Sequence, residues 1–462
     1  MKADANLQPW ILGFPELGKH AAKENKLETM SRKNVIRLGL FQLAAGGLSV
    51  LFLGVLNRVM RVEWGMDLFI VSLLIGGGHY LGALFAIPFG FYSDRHTVRG
   101  YRRTPYILVS FTITVLILIS APYVARWVAT STTFDRVLIG FGFFLVEGIS
   151  TYIAVTAFLA LVTDLTNRKE RGRVTGIIWT MLMLGIILVG MGSSLAFAEY
   201  SFEALVGLFI SAGLVAVLLS WVALWGQESK FEGEIQRSEA TLRSSIESIF
   251  QNSQARWFAG FLVLSMFSFF MYDVVLEPFG GEVFGLPPAE TTRFNVYLGV
   301  GLVAAMLLGG AKVIPARGKR WTTGVGVGVI ILAFCGLAMT AISLSPGLLP
   351  LWILLLGIGG GFFTVGAIAL MMDMTPATQT GLFIGAWTLL QALARGPASF
   401  AGGALHSVTQ KLGATTSQAY AVVFLVEAAG LVISLLLLRR VSVEEFQVEA
   451  GEVNIGSAEA VS

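Results

Sequence analysis

The stretch GQESKFEGEIQRSEATLRSSIESIFQNSQAR (Gly226–Arg256) is the one long polar insert between apolar runs of this chain. On each side of it lie six runs of about 20 apolar residues, the length that crosses about 30 Å of hydrocarbon as helix. The insert therefore reads as a linker, with a short amphipathic helix in it, between two sets of six spans. The spans are expected at 37–60, 68–93, 104–123, 137–163, 174–196, 202–225, 257–278, 292–314, 321–343, 348–372, 381–404 and 416–438.

Composition agrees. The 462 residues are 55% hydrophobic and 13% charged, with mean hydropathy +0.74. A soluble domain carries about 25% charged residues, so this chain has too little polar surface to cover a water-soluble body. Strand-type alternation is absent, which leaves a helical bundle and not a barrel. The single cysteine, Cys335, falls within a span and cannot form an intrachain disulfide. The first 35 residues, with KHAAKENKLETMSRKN (Lys19–Asn34), lack the short apolar core of a cleavable signal peptide.

Orientation follows from the loops, since Lys and Arg collect on the cytoplasmic side. The N-terminus, the 2–3, 4–5 and 8–9 loops, the linker and the tail hold 25 of the 32 Lys and Arg residues. The other side holds six, and Arg395 lies within span eleven. Both termini are thus expected in the cytoplasm, which requires an even number of spans. The domain organisation read from this is a cytoplasmic segment 1–36, a six-helix bundle 37–225, a cytoplasmic linker 226–256, a second bundle 257–438 and a cytoplasmic tail 439–462.

An internal repeat supports two related halves. ALVTDLTNRKERGRVTG (Ala160–Gly176) matches ALMMDMTPATQTGLFIG (Ala369–Gly385): Ala160, Asp164, Thr166, Gly172 and Gly176 have identical partners 209 residues later, Asp373 among them. The segments are the 4–5 and 10–11 hairpins. Glycine clusters such as LIGGGHYLGALF (Leu74–Phe85) and LLGIGGGFFTVGA (Leu355–Ala367) let helix backbones approach closely where lipid removes the hydrophobic drive.

The 2–3 loop reads GFYSDRHTVRGYRR (Gly90–Arg103). Gly90 is expected to let spans two and eleven approach. Asp94 is placed to pair with Arg95 or a helix N-terminus, and Arg102 and Arg103 hold the loop on the cytoplasmic side. The loop resembles the G-x-x-x-D-R-x-G-R-R motif of the major facilitator superfamily, with its second glycine, Gly100, displaced. A second copy, GGAKVIPARGKRW (Gly309–Trp321), keeps Gly318, Lys319 and Arg320 but has no acid at the position of Asp94. The fold class that this implies is an all-α integral membrane protein of twelve helices in two six-helix halves.

Four strings carry a narrower resemblance: GVLNRVMRVEWG (Gly54–Gly65), GYRRTPYI (Gly100–Ile107), DVVLEPFGGEVFGLPPAETT (Asp273–Thr292) and GLFIGAWTLLQALARGPASFAGGAL (Gly381–Leu405). They resemble the PucC family over about Arg37–Arg440. That resemblance implies a photosynthetic membrane protein, not an enzyme, that acts in light-harvesting complex assembly. Its cargo would be chlorophyll or bacteriochlorophyll, and its partners antenna polypeptides and pigment-synthesis proteins. Two alternatives stay open: a proton-coupled transporter of a small solute, and a membrane scaffold that does not transport.

The candidate site residues are the polar ones at membrane depth, where ionisable groups are costly and so point to function. Asp273 and Glu277, spaced i, i+4, share a helix face near the outer end of span seven, with Glu282 beyond them; Pro278 and two glycines are expected to break the helix. Span one ends in Asn57, Arg58, Arg61 and Glu63, so acidic and basic clusters should meet as a latch, a gate or a head-group site. Glu147 sits mid-span in span four, as a proton carrier or a hydrogen-bonded core acid. His79 follows three glycines and has the chemistry of an axial ligand for pigment magnesium, or is a buried histidine satisfied by a neighbour; Gln42 and Gln391 are weaker ligand candidates. Arg395 is expected to pair with a carboxylate of the other half, Asp94 being a candidate. Glu427, in span twelve, reads as peripheral. No catalytic residue or metal cluster is expected.

Overall fold

The computed structural model describes residues 30–85, 89, 92, 96–166, 168–196, 200–230, 252–375 and 380–449. Gly90, Asp94, Arg95 and most of the polar insert lie outside the described residues.

Among the described residues twelve long helices follow in chain order: α1 (Arg32–Glu63), α2 (Leu68–Phe85), α3 (Thr104–Thr130), α4 (Phe134–Leu165), α5 (Arg168–Ala196), α6 (Phe202–Leu224), α7 (Ser253–Val274), α8 (Pro288–Arg317), α9 (Lys319–Ser343), α10 (Leu349–Asp373), α11 (Thr380–Lys411) and α12 (Thr416–Leu438). Lipid offers no hydrogen bonds, so a backbone that crosses it must satisfy itself as helix. The ends are capped from the sequence: Ser31 accepts from Asn34 N at α1, Asp67 from Phe69 N at α2, Asn252 from Ala255 N at α7, and Thr415 with Gln418 forms a capping box at α12.

The packing is repeated. The pairs α1–α5, α1–α6, α3–α4 and α3–α6 have counterparts in α7–α11, α7–α12, α9–α10 and α9–α12. The repeated acids follow suit: Asp164 pairs with Arg103 at the start of α3, 3.2 Å, and Asp373 with Lys319 at the start of α9, 2.6 Å. The fold is therefore two six-helix halves. They join along α2–α11 and α5–α8. At the first seam a Cβ on Gly403 would collide with Ser72 Oγ, so only glycine permits the approach.

Three sequence expectations need correction. α1 starts at Arg32 and α11 ends at Lys411, so His406 joins His79 inside a long helix. Span seven does not break at Pro278. Its α-helical part ends at Phe270, a 3₁₀ turn covers Met271–Val274, and a short helix Leu276–Phe284 runs through Pro278. Proline is harmless there, in the first helical turn, where its missing N–H has no partner to lose. Asp273 and Glu277 are thus not on one regular helix face. The second irregularity lies opposite: α1 widens into π turns at Val50–Leu56 and Val59–Glu63.

Candidate functional site

The irregular stretches of α1 and α7 border a cavity of about 120 Å³ between the halves. Asp273, Glu277, Asn295 and Arg395 line it, with Ser49, Leu53 and Gly54 from α1. A second cavity of about 90 Å³, within the first half, shares Ser49 and Leu53 and is lined by His79 and Glu147. Leu53 stands in the wall between the two.

In the inner cavity, His79 Nδ1 lies 2.6 Å from Glu147 Oε2. Thr151 donates to Glu147 Oε1 at 2.8 Å. The carboxylate is thus held from both oxygens, and its natural donor on the other side is the imidazole Nδ1–H. Nε2 makes no hydrogen bond among the described residues. The rings of Phe52, Tyr80 and Tyr152 surround the imidazole at centroid distances of 5.3, 5.0 and 5.4 Å. The close approach of α2 and α4 comes from glycine: a Cβ on Gly148 would run into the His79 carbonyl oxygen. A histidine that gives one N–H to a carboxylate and keeps the other nitrogen unengaged has the arrangement of a metal-ligating imidazole.

In the outer cavity, Arg395 pairs with Asp273, Nη2 being 3.1 Å from Asp273 Oδ2; the other candidate, Asp94, lies outside the described residues. Tyr80, of the other half, donates to the same oxygen at 2.8 Å. The guanidinium also lies over Phe270 and Tyr80, 4.0 and 5.1 Å from the ring centres. Arg395 keeps 37% side-chain exposure while Asp273 keeps 8%. This cation is therefore paired on one side and open to the cavity on the other. Tyr80 connects the two cavities, being next to His79 and bonded to Asp273.

At the face away from the termini the halves are bonded. Asn57 Nδ2 donates to Val274 O at 2.9 Å, Arg58 Nη2 to Leu286 O at 2.8 Å, and Arg293 Nε to Ser194 Oγ at 2.9 Å. Arg61 pairs with Glu282 at 2.9 Å, and Tyr420 donates to that carboxylate. Ser407 donates to Asp67 and accepts from Phe69 N. Arg58 itself pairs with Glu63, 2.6 Å. The expected meeting of acidic and basic clusters is real, but Glu282 takes the arginine of the other half, whereas Glu277 is buried and accepts from Asn295 at 2.5 Å.

Gln42 and Gln391 join neither cavity. Gln42 is buried with Oε1 unpartnered, and Gln391 Nε2 contacts Met371 S at 3.7 Å and Trp387 O at 3.4 Å. Glu427 is not peripheral: it is fully buried. Sequence reasoning missed Tyr80, Tyr152 and Asn295. Tyr80 was findable as the neighbour of His79 facing a glycine-rich seam; the other two carry no local signal.

A family model described as PUCC protein matches residues 55–446. Among similar proteins is Protein PucC of Cereibacter sphaeroides, 29% identical over 88% of this chain and 91% of that one. The bacteriochlorophyll synthase 44.5 kDa chain of Rhodobacter capsulatus is 29% identical over 80% of this chain and 86% of that one. Among solved structures, a point mutant of the nucleoside transporter NupG superposes with TM-score 0.68 at 14% identity, covering 88% of this chain and 99% of that one.

Proposed function

This chain belongs to the PucC protein family, and from that premise we propose that it binds a chlorophyll-type magnesium tetrapyrrole in the membrane and hands it to light-harvesting apoproteins. The name of one relative, a bacteriochlorophyll synthase chain, supports a place in the bacteriochlorophyll apparatus. The observation that carries the reading is the His79–Glu147 pair: Nδ1 is held at 2.6 Å by the carboxylate, so Nε2 is the free ligand nitrogen beside an apolar, aromatic-walled cavity. Magnesium in such a ring takes one axial ligand from the protein, and the ring itself needs apolar walls.

The fit sets a condition on the conformation. Ligand pockets hold about 300–1,000 Å³, and the two cavities are about 90 and 120 Å³. A tetrapyrrole requires them to open into one another past Leu53, which the parting of the halves would allow. The excess of Lys and Arg at the terminal face supports a cytoplasmic placement of that face, and the proposed cargo would put the protein in a photosynthetic membrane. Cargo would then exchange on that side, away from the bonds between halves described above.

The test is the absorption spectrum of gently solubilised, purified protein. Wild type should carry a red pigment band, and His79→Ala should lose most of it while remaining monodisperse. A wild type without pigment, even when expressed in pigment-making cells, would remove the reading. The Asp273–Arg395 pair in the outer cavity favours a second reading, proton-coupled transport of a solute. Proton-dependent uptake into vesicles without pigment would support it.

A further inference from the structure

The cation of the outer cavity has a donor to spare. Arg395 sends Nε and Nη2 to a single oxygen, Asp273 Oδ2, at 3.3 and 3.1 Å. Nη1 has no hydrogen-bond partner among the described residues, and the side chain keeps 37% exposure. The Asp273 bonds and the rings of Phe270 and Tyr80 hold the guanidinium in place. Gly396 lets α11 come this close to α2, since a Cβ there would strike Tyr80 Cβ. Two other polar groups of the lining are spent inside the protein: Ser49 donates to Gly46 O at 2.7 Å, and Asn295 to Glu277 Oε1 at 2.5 Å. Glu277 Oε2 is buried without a partner.

A lone arginine at this depth would select an anion, but this one already has its counter-ion. Asp273 and Arg395 together carry no net charge, and Glu277 stands in the same lining. A ligand carboxylate would therefore bring a negative charge with no cation left to pair it, which is costly away from water. A neutral carbonyl oxygen can accept from Nη1 without that cost, and the positive donor strengthens the bond. A ligand that displaces water from such a donor gains only if it returns the hydrogen bond.

We propose that Arg395 recognises a neutral carbonyl group of the ligand and disfavours a carboxylate in its place. The choice of ligand rests on the tetrapyrrole reading above. There the carbonyl is the ring ketone that chlorophyll-type pigments carry and plain magnesium porphyrins lack. His79 Nε2 takes the metal and Arg395 takes the ketone, two points that fix which way round the ring sits. Tyr80 lies against both, its ring 5.0 Å from that of His79 and 5.1 Å from Arg395 Cζ. One ring-sized ligand can therefore reach the two once Leu53 gives way between the cavities.

The experiment titrates full-length protein in lipid nanodiscs with three magnesium chlorins, followed by absorption. They are a chlorophyllide methyl ester with the ring ketone, the same ester with the ketone reduced to methylene, and the free-acid chlorophyllide. The ketone ester should bind about ten-fold or more tighter than the methylene compound, and the free acid no tighter than the ester. Raman spectra of the bound ketone ester should show its ketone stretch at lower frequency than in an aprotic solvent. The double variant Arg395→Met, Asp273→Asn removes both charges together; there the preference should vanish and the stretch return to its unbonded frequency. Equal affinities with an unbonded ketone in wild type would overturn the role of Arg395 and leave the tetrapyrrole reading standing. So would a bonded ketone that persists in the double variant, or tighter binding of the free acid. Binding of none of the three would remove the tetrapyrrole reading and this inference with it.

Discussion

Asp273 shows how a single residue can be needed without being reactive. It satisfies Arg395 from one side and Tyr80 from the other through one oxygen. Asp273→Asn removes the charge and leaves the guanidinium with aromatic faces only. Breaking a buried ion pair costs about 3–5 kcal/mol, and the partial exposure of Arg395 reduces this to about 1–3 kcal/mol, near the cost of an unsatisfied buried group. Thermal unfolding in detergent should show that loss, with Tyr80→Phe costing about 1 kcal/mol or less. Equal effects of the two would contradict the order of partners. Glu147→Gln should be mild because the amide still reaches Thr151, whereas Glu147→Ala strips both His79 and Thr151 and should cost about 2 kcal/mol or more. Asp67 belongs to this scale too, at the loop before α2. Burial pushes its carboxyl up, but the Ser407 hydroxyl, the Phe69 N–H and the Lys411 and Arg61 charges outweigh that and hold it below the usual carboxylate range. A depressed acid stabilises above its unfolded pKa and stops doing so as pH falls through the folded one. Asp67→Asn should therefore melt lower than wild type at neutral pH, and the two curves should converge in strong acid. A constant gap across that range would contradict the account.

Among the elements, the α2–α4 contact and the break in α7 do most to place the site. The backbones of α2 and α4 meet at Gly148, where any side chain would strike the His79 carbonyl. Gly148→Val should push α2 away, separating His79 from Glu147. The expected outcome is a lower melting temperature and loss of whatever His79 binds, and an unchanged melting curve would show that the seam yields. The glycine clusters are visible in the chain as close-packing devices, but which helix each one meets is not. The 3₁₀ turn at Met271–Val274 escapes the sequence because Pro278 looks like the breaker. Proline breaks a helix only where its N–H would have been used, and the turn that comes first removes that need. The two acids line one cavity all the same, because the turn and the following helix fold around it.

At the scale of the whole molecule, the bonds between halves named above, among the described residues, run from the face away from the termini inward to Asp273. A disulfide replacing Arg61 and Glu282 would lock that face shut. If handing on cargo requires the halves to part at that face, the locked form should still bind pigment from the terminal face and pass none on. If it only scaffolds, antenna assembly in cells should proceed at the wild-type level. The repeat seen in two hairpins extends to the packing: Asp164 and Asp373 pair with cations at the starts of equivalent helices. That much can be read from the chain because a hairpin is local. The pairing of Arg395 cannot, since its partner lies 122 positions away and charge alone does not separate Asp273 from Asp94.

The chain alone established the membrane class, the number of crossings and the twofold internal repeat, since apolar length and charge placement follow directly from the thickness and dielectric of lipid. Side-chain direction was left to the folded bundle. When lipid and protein interior are both apolar, a helix carries little pattern to say which face turns inward, and Glu427 could pass for a rim residue. Only the packed arrangement buried it, brought His79 onto Glu147 and Tyr80 onto Asp273, because these contacts depend on glycine seams that bring distant backbones together.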